Sequence, residues 1–148
     1  MKKIKITILS ILLLVVVTAC GCTTWKSFTY NVKTGDKIKV QLKTGNGYNI
    51  SSDVPFKISK NGEVLSKGSF IKLEYYDQYV DAALGEAGAI EIERSSKDNI
   101  SYVFYSNNGS YEYIIKVNNS NTGLVIENSI SESSAREVFD RITISKEK

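Results

Sequence analysis

Ser134-Ala135-Arg136-Glu137-Val138-Phe139-Asp140-Arg141-Ile142 is the stretch that decides the fold. Ala135, Val138, Phe139 and Ile142 fall at i, i+3, i+4 and i+7, the apolar stripe of an amphipathic helix. Ser134 with Glu137 fits a capping box, in which each side chain satisfies a backbone N–H at the helix start. Glu132, Arg136, Asp140 and Arg141 lie off the stripe and are expected in water. Ile142 to Ser145 reads as a short final strand. A helix with one apolar stripe needs a surface to bury it against, and the rest of the chain supplies strands.

Upstream, the period is two. Phe28, Tyr30 and Val32 alternate, then Ile38, Val40 and Leu42 alternate with Lys37, Lys39, Gln41 and Lys43. The second run predicts a half-buried strand with a lysine-rich outer face. Turns are expected at residues 33–36 and 43–47, and a short strand at 48–51. Pro55, the only proline, should interrupt pairing. Residues 56–59 and 64–70 flank Asn61-Gly62, and residues 100–105 and 111–117 flank Asn107-Asn108-Gly109. Asn-Gly between such runs predicts hairpins, because a type I′ turn needs positive φ at both central residues. Ile90 and Ile92 alternate with Glu91 and Glu93, and residues 124–127 follow a loop at 118–123. Between the hairpins the period lengthens. Ile71, Tyr75, Tyr79 and Ala82 or Ala83 fall at helical spacing, which predicts a helix over 73–84 with Gly85 as its stop.

The expected fold class is α+β: an antiparallel sheet of several hairpins, with two helices packed on one side of it. A β-sandwich with peripheral helices is the alternative. The order of elements, with the late helix of residues 134–142 leading into the final strand, resembles the PsbP/Mog1-like α+β fold.

The first twenty residues carry a different message. Lys2, Lys3 and Lys5 form a positive head, Ile4 to Val17 is mostly apolar, and Val17-Thr18-Ala19-Cys20 closes the segment. This is the build of a bacterial export signal. The apolar run falls short of the roughly 20 residues a spanning helix needs. Val17-Thr18-Ala19-Cys20 resembles the lipobox of bacterial lipoproteins, which implies that Cys20 receives a diacylglyceryl group and becomes the mature N-terminus. Cys22 has a poorer upstream context and is expected to stay a tether thiol. The chain divides into a signal (residues 1–19), a lipidated tether (20–24) and one globular domain (25–148). Its richness in Ile, Lys, Asn and Tyr is similar to that of small uncharacterised lipoproteins of Gram-positive bacteria.

The formal charge of +3 belongs to the signal, which holds three of the 19 basic residues and none of the 16 acids. A mature chain of zero net charge is a poor nucleic-acid binder. Residues 20–70 carry eight lysines and three acids, whereas residues 71–148 carry eight basic and 13 acidic residues. The absence of histidine removes Ser-His-Asp and Cys-His sites and the commonest general base. With both cysteines in the tether, a thiolate metal site in the domain is excluded, and no cofactor is expected.

Several short patterns invite a catalytic reading. Ser69-Phe70-Ile71-Lys72 matches S-x-x-K, Ser106-Asn107-Asn108 resembles S-x-N, and Lys33-Thr34-Gly35 and Lys43-Thr44-Gly45 match K-T-G, the set combined in penicillin-binding proteins and β-lactamases. Here K-T-G precedes S-x-x-K, and Thr-Gly is also ordinary turn chemistry. Glu74, Asp77 and Asp81 cluster on the first predicted helix, as paired carboxylates in glycoside hydrolysis do; a solvated acidic face has the same pattern. Nine tyrosines stand out. Tyr75, Tyr76 and Tyr79 share the first helix and are the candidate ligand-binding residues, since a tyrosine offers a broad apolar face and a polar end to sugars or peptides. Tyrosines equally suit half-buried strands.

The function expected from these readings is a non-catalytic, extracytoplasmic, monomeric domain, held on the cell membrane by the lipid on Cys20 and binding an envelope protein or glycan. The alternatives are a carboxylate-dependent hydrolase using Glu74, Asp77 or Asp81, and an assembly accessory whose free sheet edge pairs with a partner strand.

Overall fold

A computed structural model describes residues 24–148; the predicted export signal, Cys20 and Cys22 lie outside the described residues. The elements run β1 (Trp25–Asn31), β2 (Lys37–Lys43), β3 (Tyr48–Ile50), β4 (Phe56–Lys60), β5 (Glu63–Lys72), α1 (Tyr76–Gly85), β6 (Ala89–Lys97), β7 (Ile100–Asn107), β8 (Ser110–Val117), β9 (Thr122–Asn128), α2 (Glu132–Arg141) and β10 (Ile142–Lys146). Short 3-10 turns occupy Gly45–Gly47 and Leu73–Tyr75. The fold is α+β, and every strand pairing is antiparallel.

The strands form two sheets, of order β1-β2-β10 and β3-β4-β5-β9-β8-β7-β6. Both predicted Asn-Gly hairpins are present. Asn61 and Gly62 have φ of 50° and 87°, and Asn108 and Gly109 of 48° and 84°. These are the two positive angles a type I′ turn requires, so the residue types set the register of β4–β5 and β7–β8.

The helices do not share one side of the large sheet. Ile38, Val40 and Leu42 of β2 and Val138 and Phe139 of α2 join Tyr102, Phe104, Tyr113, Ile115 and Leu124 in the main core. Tyr76 and Val80 of α1 instead cover Val103, Tyr105 and Ile114 on the opposite face. The reason lies in β7 and β8, whose runs Tyr102-Val103-Phe104-Tyr105 and Tyr113-Ile114-Ile115 are apolar without alternation. A strand buried on both faces reads this way, and each face needs its own cover. The result is three layers: the small sheet with α2, the large sheet, and α1.

Local details differ from the sequence reading in both helices. α1 starts only at Tyr76, after the 3-10 turn, and Gly85 is its last residue, with Glu86 as the extended C-cap. The N-cap of α2 is Ser131, not Ser134; its hydroxyl accepts from the Ser134 N–H at 3.1 Å. Ser134 is drawn into another network. The buried Asn128 amide donates to the Ser66 and Ser134 hydroxyls, both at 3.0 Å, while its carbonyl accepts from the Ile130 N–H at 2.9 Å. Arg136 and Arg141 are also not simply solvated. Arg136 donates to Glu93 and Glu132, each at 2.9 Å, and lies 4.8 Å above the Phe104 ring. The Arg141 guanidinium lies 4.0 Å from the Tyr48 ring and donates to the Gly45 carbonyl at 3.2 Å. Both side chains lay their guanidinium groups over aromatic faces.

Aromatic packing organises the main core. Phe139 stacks on Tyr113 at 3.9 Å between centroids, and Tyr113 on Phe104 at 4.2 Å. A second group joins Tyr30, Phe56 and Phe70 at 5.2–5.9 Å. There the Phe56 ring lies directly over Gly68, its cross-strand partner, so closely that a Cβ at Gly68 would come within 2.0 Å of it.

Candidate functional site

The three candidate tyrosines separate. Tyr76 is buried and its hydroxyl donates to the Ile114 carbonyl at 3.3 Å, so it is a packing residue of the α1 interface. Tyr75 and Tyr79 are 44% and 47% exposed and border a shallow hollow of about 240 Å³ with Gln78 and Ala82. They are four apart across the start of α1, hence on one face. A helix lying on a sheet turns one stripe inward; Tyr76 and Val80 take that stripe, and the residues flanking them are left outside.

Beside this face, three distant segments meet. Lys33 and Thr34 of the β1–β2 turn, Lys72 at the end of β5, Leu73 and Glu74, and Asn121 of the β8–β9 turn line a hollow of about 460 Å³. A neighbouring hollow of the same size runs on along Val32, Val54, Phe70 and Ile71. The first hollow is polar, with Lys33, Lys72 and Glu74 among its lining residues, and the second is mainly apolar.

Asp36 holds this junction together. Its carboxylate is buried and accepts from the Asn121 N–H at 2.7 Å and the Thr122 hydroxyl at 2.8 Å, with the Lys146 ammonium at 2.8 Å. The Thr34 and Thr122 hydroxyls lie 2.6 Å apart beside it. The Lys146 contact, helped by the Thr122 and Asn121 hydrogen bonds, holds the Asp36 carboxyl below the usual carboxylate range against the opposing effect of burial. One carboxylate thereby ties the β1–β2 turn, the β8–β9 turn and β10.

The sequence patterns assemble only in part. Lys72 of S-x-x-K and Lys33-Thr34 of K-T-G border the same hollow. Ser69, however, alternates with Phe70, which packs toward the main core on the same side as Lys72, so Ser69 faces the other way. Ser106 lies at the far β7–β8 hairpin. The carboxylates Glu74, Asp77 and Asp81 are exposed; Glu74 pairs with Lys72 at 3.2 Å and Asp77 with Lys116 at 3.4 Å.

Two electrostatic features remain. Burial pushes the Tyr30 hydroxyl up to about 12 and those of Tyr105 and Tyr113 further still, so these phenols stay protonated at neutral pH and cannot act as bases there. Glu112 is raised above the usual carboxylate range, chiefly by burial and then by Glu127 and Glu86. Glu127 is its direct cross-strand partner, an unfavourable like-charge pair. Among the described residues, no group of three His, Cys, Asp or Glu could hold a metal ion, and no helix is long and apolar enough to cross a membrane. The β6 edge of the large sheet carries Glu91, Glu93, Arg94 and Lys97 and a bulge between Glu91 and Glu93, devices that discourage strand addition.

No protein-family model matches this chain, and neither does any curated protein.

The Lys33–Lys72 hollow was not legible in the sequence. Its residues come from three turns far apart in the chain, and each reads locally as ordinary turn chemistry. Which tyrosines of α1 are buried was not legible either: Tyr75/Tyr79 and Tyr76/Val80 share the same spacing of four, and the apolar stripe read from Ile71, Tyr75 and Tyr79 is not the one the sheet covers.

Proposed function

We propose that this chain is a lipid-anchored, extracytoplasmic, non-catalytic binding domain. Its anchor is the lipid on Cys20, on the outer side of the cell membrane or in the periplasm of a two-membrane cell. The α1 face, with Tyr75, Tyr79 and the adjoining Lys33–Lys72 hollow, receives an envelope protein or glycan. One observation carries the reading. The strand that follows the tether, β1, belongs to the small sheet, whereas the exposed tyrosines lie on α1, across the full thickness of the large sheet. The strand that follows the tether and the exposed tyrosines are therefore on opposite layers, which supports a reading in which the α1 face is turned away from a membrane. A shallow aromatic shelf beside a polar hollow lined by Lys33, Lys72, Glu74 and Asn121 suits stacking on a ring with polar neighbours.

Two measurements test it. Cys20→Ala should release the protein from the membrane fraction or leave it unprocessed, while Cys22→Ala changes neither; membrane retention and processing of Cys20→Ala equal to wild type refutes the anchor. Retention of purified cell-wall and membrane fractions on the immobilised protein should fall about tenfold in Tyr75→Ala/Tyr79→Ala, the scale of truncating aromatic contact residues. Unchanged retention removes the α1 face as the binding surface.

A further inference from the structure

We infer that the uncovered face of the small sheet is a docking surface for anionic phospholipid headgroups, with Trp25 as its interfacial anchor. The inference rests on the lipid-anchor reading above.

In β2 the inward positions Ile38, Val40 and Leu42 are fully buried, so the alternate residues Lys37, Lys39 and Lys43 share the outer face. Trp25 is the cross-strand partner of Lys43, and the Lys43 ammonium lies 5.3 Å from the centre of its ring. Neither core includes any of these four side chains. The other outward positions of the three strands are Ser, Thr, Asn and Gln, so no strand carboxylate opposes the lysines. Glu147, after the last strand, reaches Lys39 at 3.8 Å and leaves Lys37 and Lys43 without a carboxylate partner among the described residues. Trp25 itself is 47% exposed, which for the single tryptophan of the chain is a large apolar area left in water.

The occupant follows from the tether and the charge. Five residue steps separate Cys20 from Trp25, so at full extension at most about 18 Å divides their Cα atoms. A membrane is therefore always within reach of this face, at the high effective concentration that a short tether creates. Each lysine near an anionic leaflet strengthens attachment about fivefold, and tryptophan favours the headgroup level, where one end of the ring is apolar and the other polar. A surface too weak to bind lipid alone becomes sufficient once the anchor has supplied encounter. Docked in this way, the domain lies with its small sheet down and α1 turned outward.

Trp25 is its own probe, because no other tryptophan contributes emission. The lipidated full chain is reconstituted into vesicles of phosphatidylcholine alone or with phosphatidylglycerol, with and without brominated acyl chains. With phosphatidylglycerol, Trp25 emission should shift to shorter wavelength and be quenched by brominated lipid. Both effects should weaken severalfold in 1 M salt, where screening shortens to about 3 Å, and in Lys37→Glu/Lys43→Glu. The salt arm uses the wild-type protein and so stands if that variant misfolds. A protein that floats with the vesicles while Trp25 stays water-exposed overturns the docking and leaves the anchor intact. Equal shifts with and without phosphatidylglycerol, insensitive to salt, overturn the anionic assignment. Protein extracted from its own cell membranes with Cys20 unacylated overturns the anchor and this inference together.

Discussion

Asp36 offers the sharpest test of how this domain is held together. Asp36→Ala removes the acceptor of two short hydrogen bonds, from the Asn121 N–H at 2.7 Å and the Thr122 hydroxyl at 2.8 Å. Each hydrogen bond to a buried charge is worth about 1.5–3 kcal/mol. The Thr122 hydroxyl keeps Thr34 at 2.6 Å, so part of its loss is recovered. Lys146 has a side chain 37% exposed and regains water, so its separation from Asp36 adds little. The expected cost, from the two hydrogen bonds, is about 3–5 kcal/mol, a large share of the roughly 5–15 kcal/mol of a whole domain. The cost must also depend on pH. Because the folded state holds Asp36 below its ordinary value, its contribution is complete above the unfolded carboxylate pKa of about 3.9 and is lost as pH falls through the lower folded value. Urea unfolding followed by far-UV circular dichroism at pH 7, 5, 4 and 3 measures both. Other depressed carboxylates such as Glu93 and Glu137 cancel when wild type and variant are compared at each pH. A variant within 1 kcal/mol of wild type at pH 7 refutes the argument. So does a gap that does not narrow below pH 4.

Phe139→Ala should cost about 3–5 kcal/mol in the same assay, since the ring is buried and stacked on Tyr113. Arg136→Ala should cost about 1–2 kcal/mol, more than an ordinary surface site, because it bridges Glu93 and Glu132 and covers Phe104. Glu112→Gln should raise stability at pH 7 by about 0.2–1 kcal/mol, read as a higher thermal midpoint. The sign follows from its raised folded pKa, so the gain should vanish below the unfolded value of about 4.3, where Glu112 is protonated in both states. Gly68→Ala should lose about 1–3 kcal/mol by driving a methyl group into the Phe56 ring, and Phe56→Leu in the same background should recover part of it.

Most of the fold was legible because short-range rules apply to it. Asn61-Gly62 and Asn108-Gly109 set two hairpins by backbone sterics alone, and the Ala135–Ile142 stripe set α2 by its period. What failed was layer assignment. Phe104 and Tyr105 both read as strand residues, but which sheet face each covers depends on partners more than 20 residues away, such as Phe139 and Tyr76. The unalternating runs of β7 and β8 carried the signal that both faces are buried, and one-sided helix packing does not fit it. Arg136 and Arg141 failed for a related reason. Off-stripe position says that a side chain points away from the helix's own contact, not that no other aromatic ring lies beneath it. At the candidate site, the apolar period that predicted α1 ran through Ile71, Tyr75 and Tyr79, but the stripe that packs on the sheet is Tyr76 and Val80, so Tyr75 and Tyr79 are left exposed. The Lys33–Lys72 hollow was not found, because it exists only where Asp36 and Thr122 bring two turns together.

The same junction gives the proposed orientation its mechanical basis. A tether fixes only one point of a domain, and the domain can still roll about it. Contact of Trp25, Lys37 and Lys43 with headgroups would fix the small sheet, but the α1 face is turned outward only if the two sheets move as one body. The common core joins them along their length, through Ile38, Val40 and Leu42 against Phe104, Tyr113 and Ile115. Asp36 joins them at the end beside the hollow, through Thr122 and Asn121 of the large sheet and Lys146 of the small one. With sheets about 10 Å apart and a helix about 10 Å across, Tyr75 and Tyr79 would stand roughly 20 Å beyond the lysine face. Asp36→Ala should therefore act twice. It should lower stability, and in the lipidated protein it should weaken retention by the α1 face more than docking reported by Trp25, because Trp25 lies at the end of β1 away from the junction.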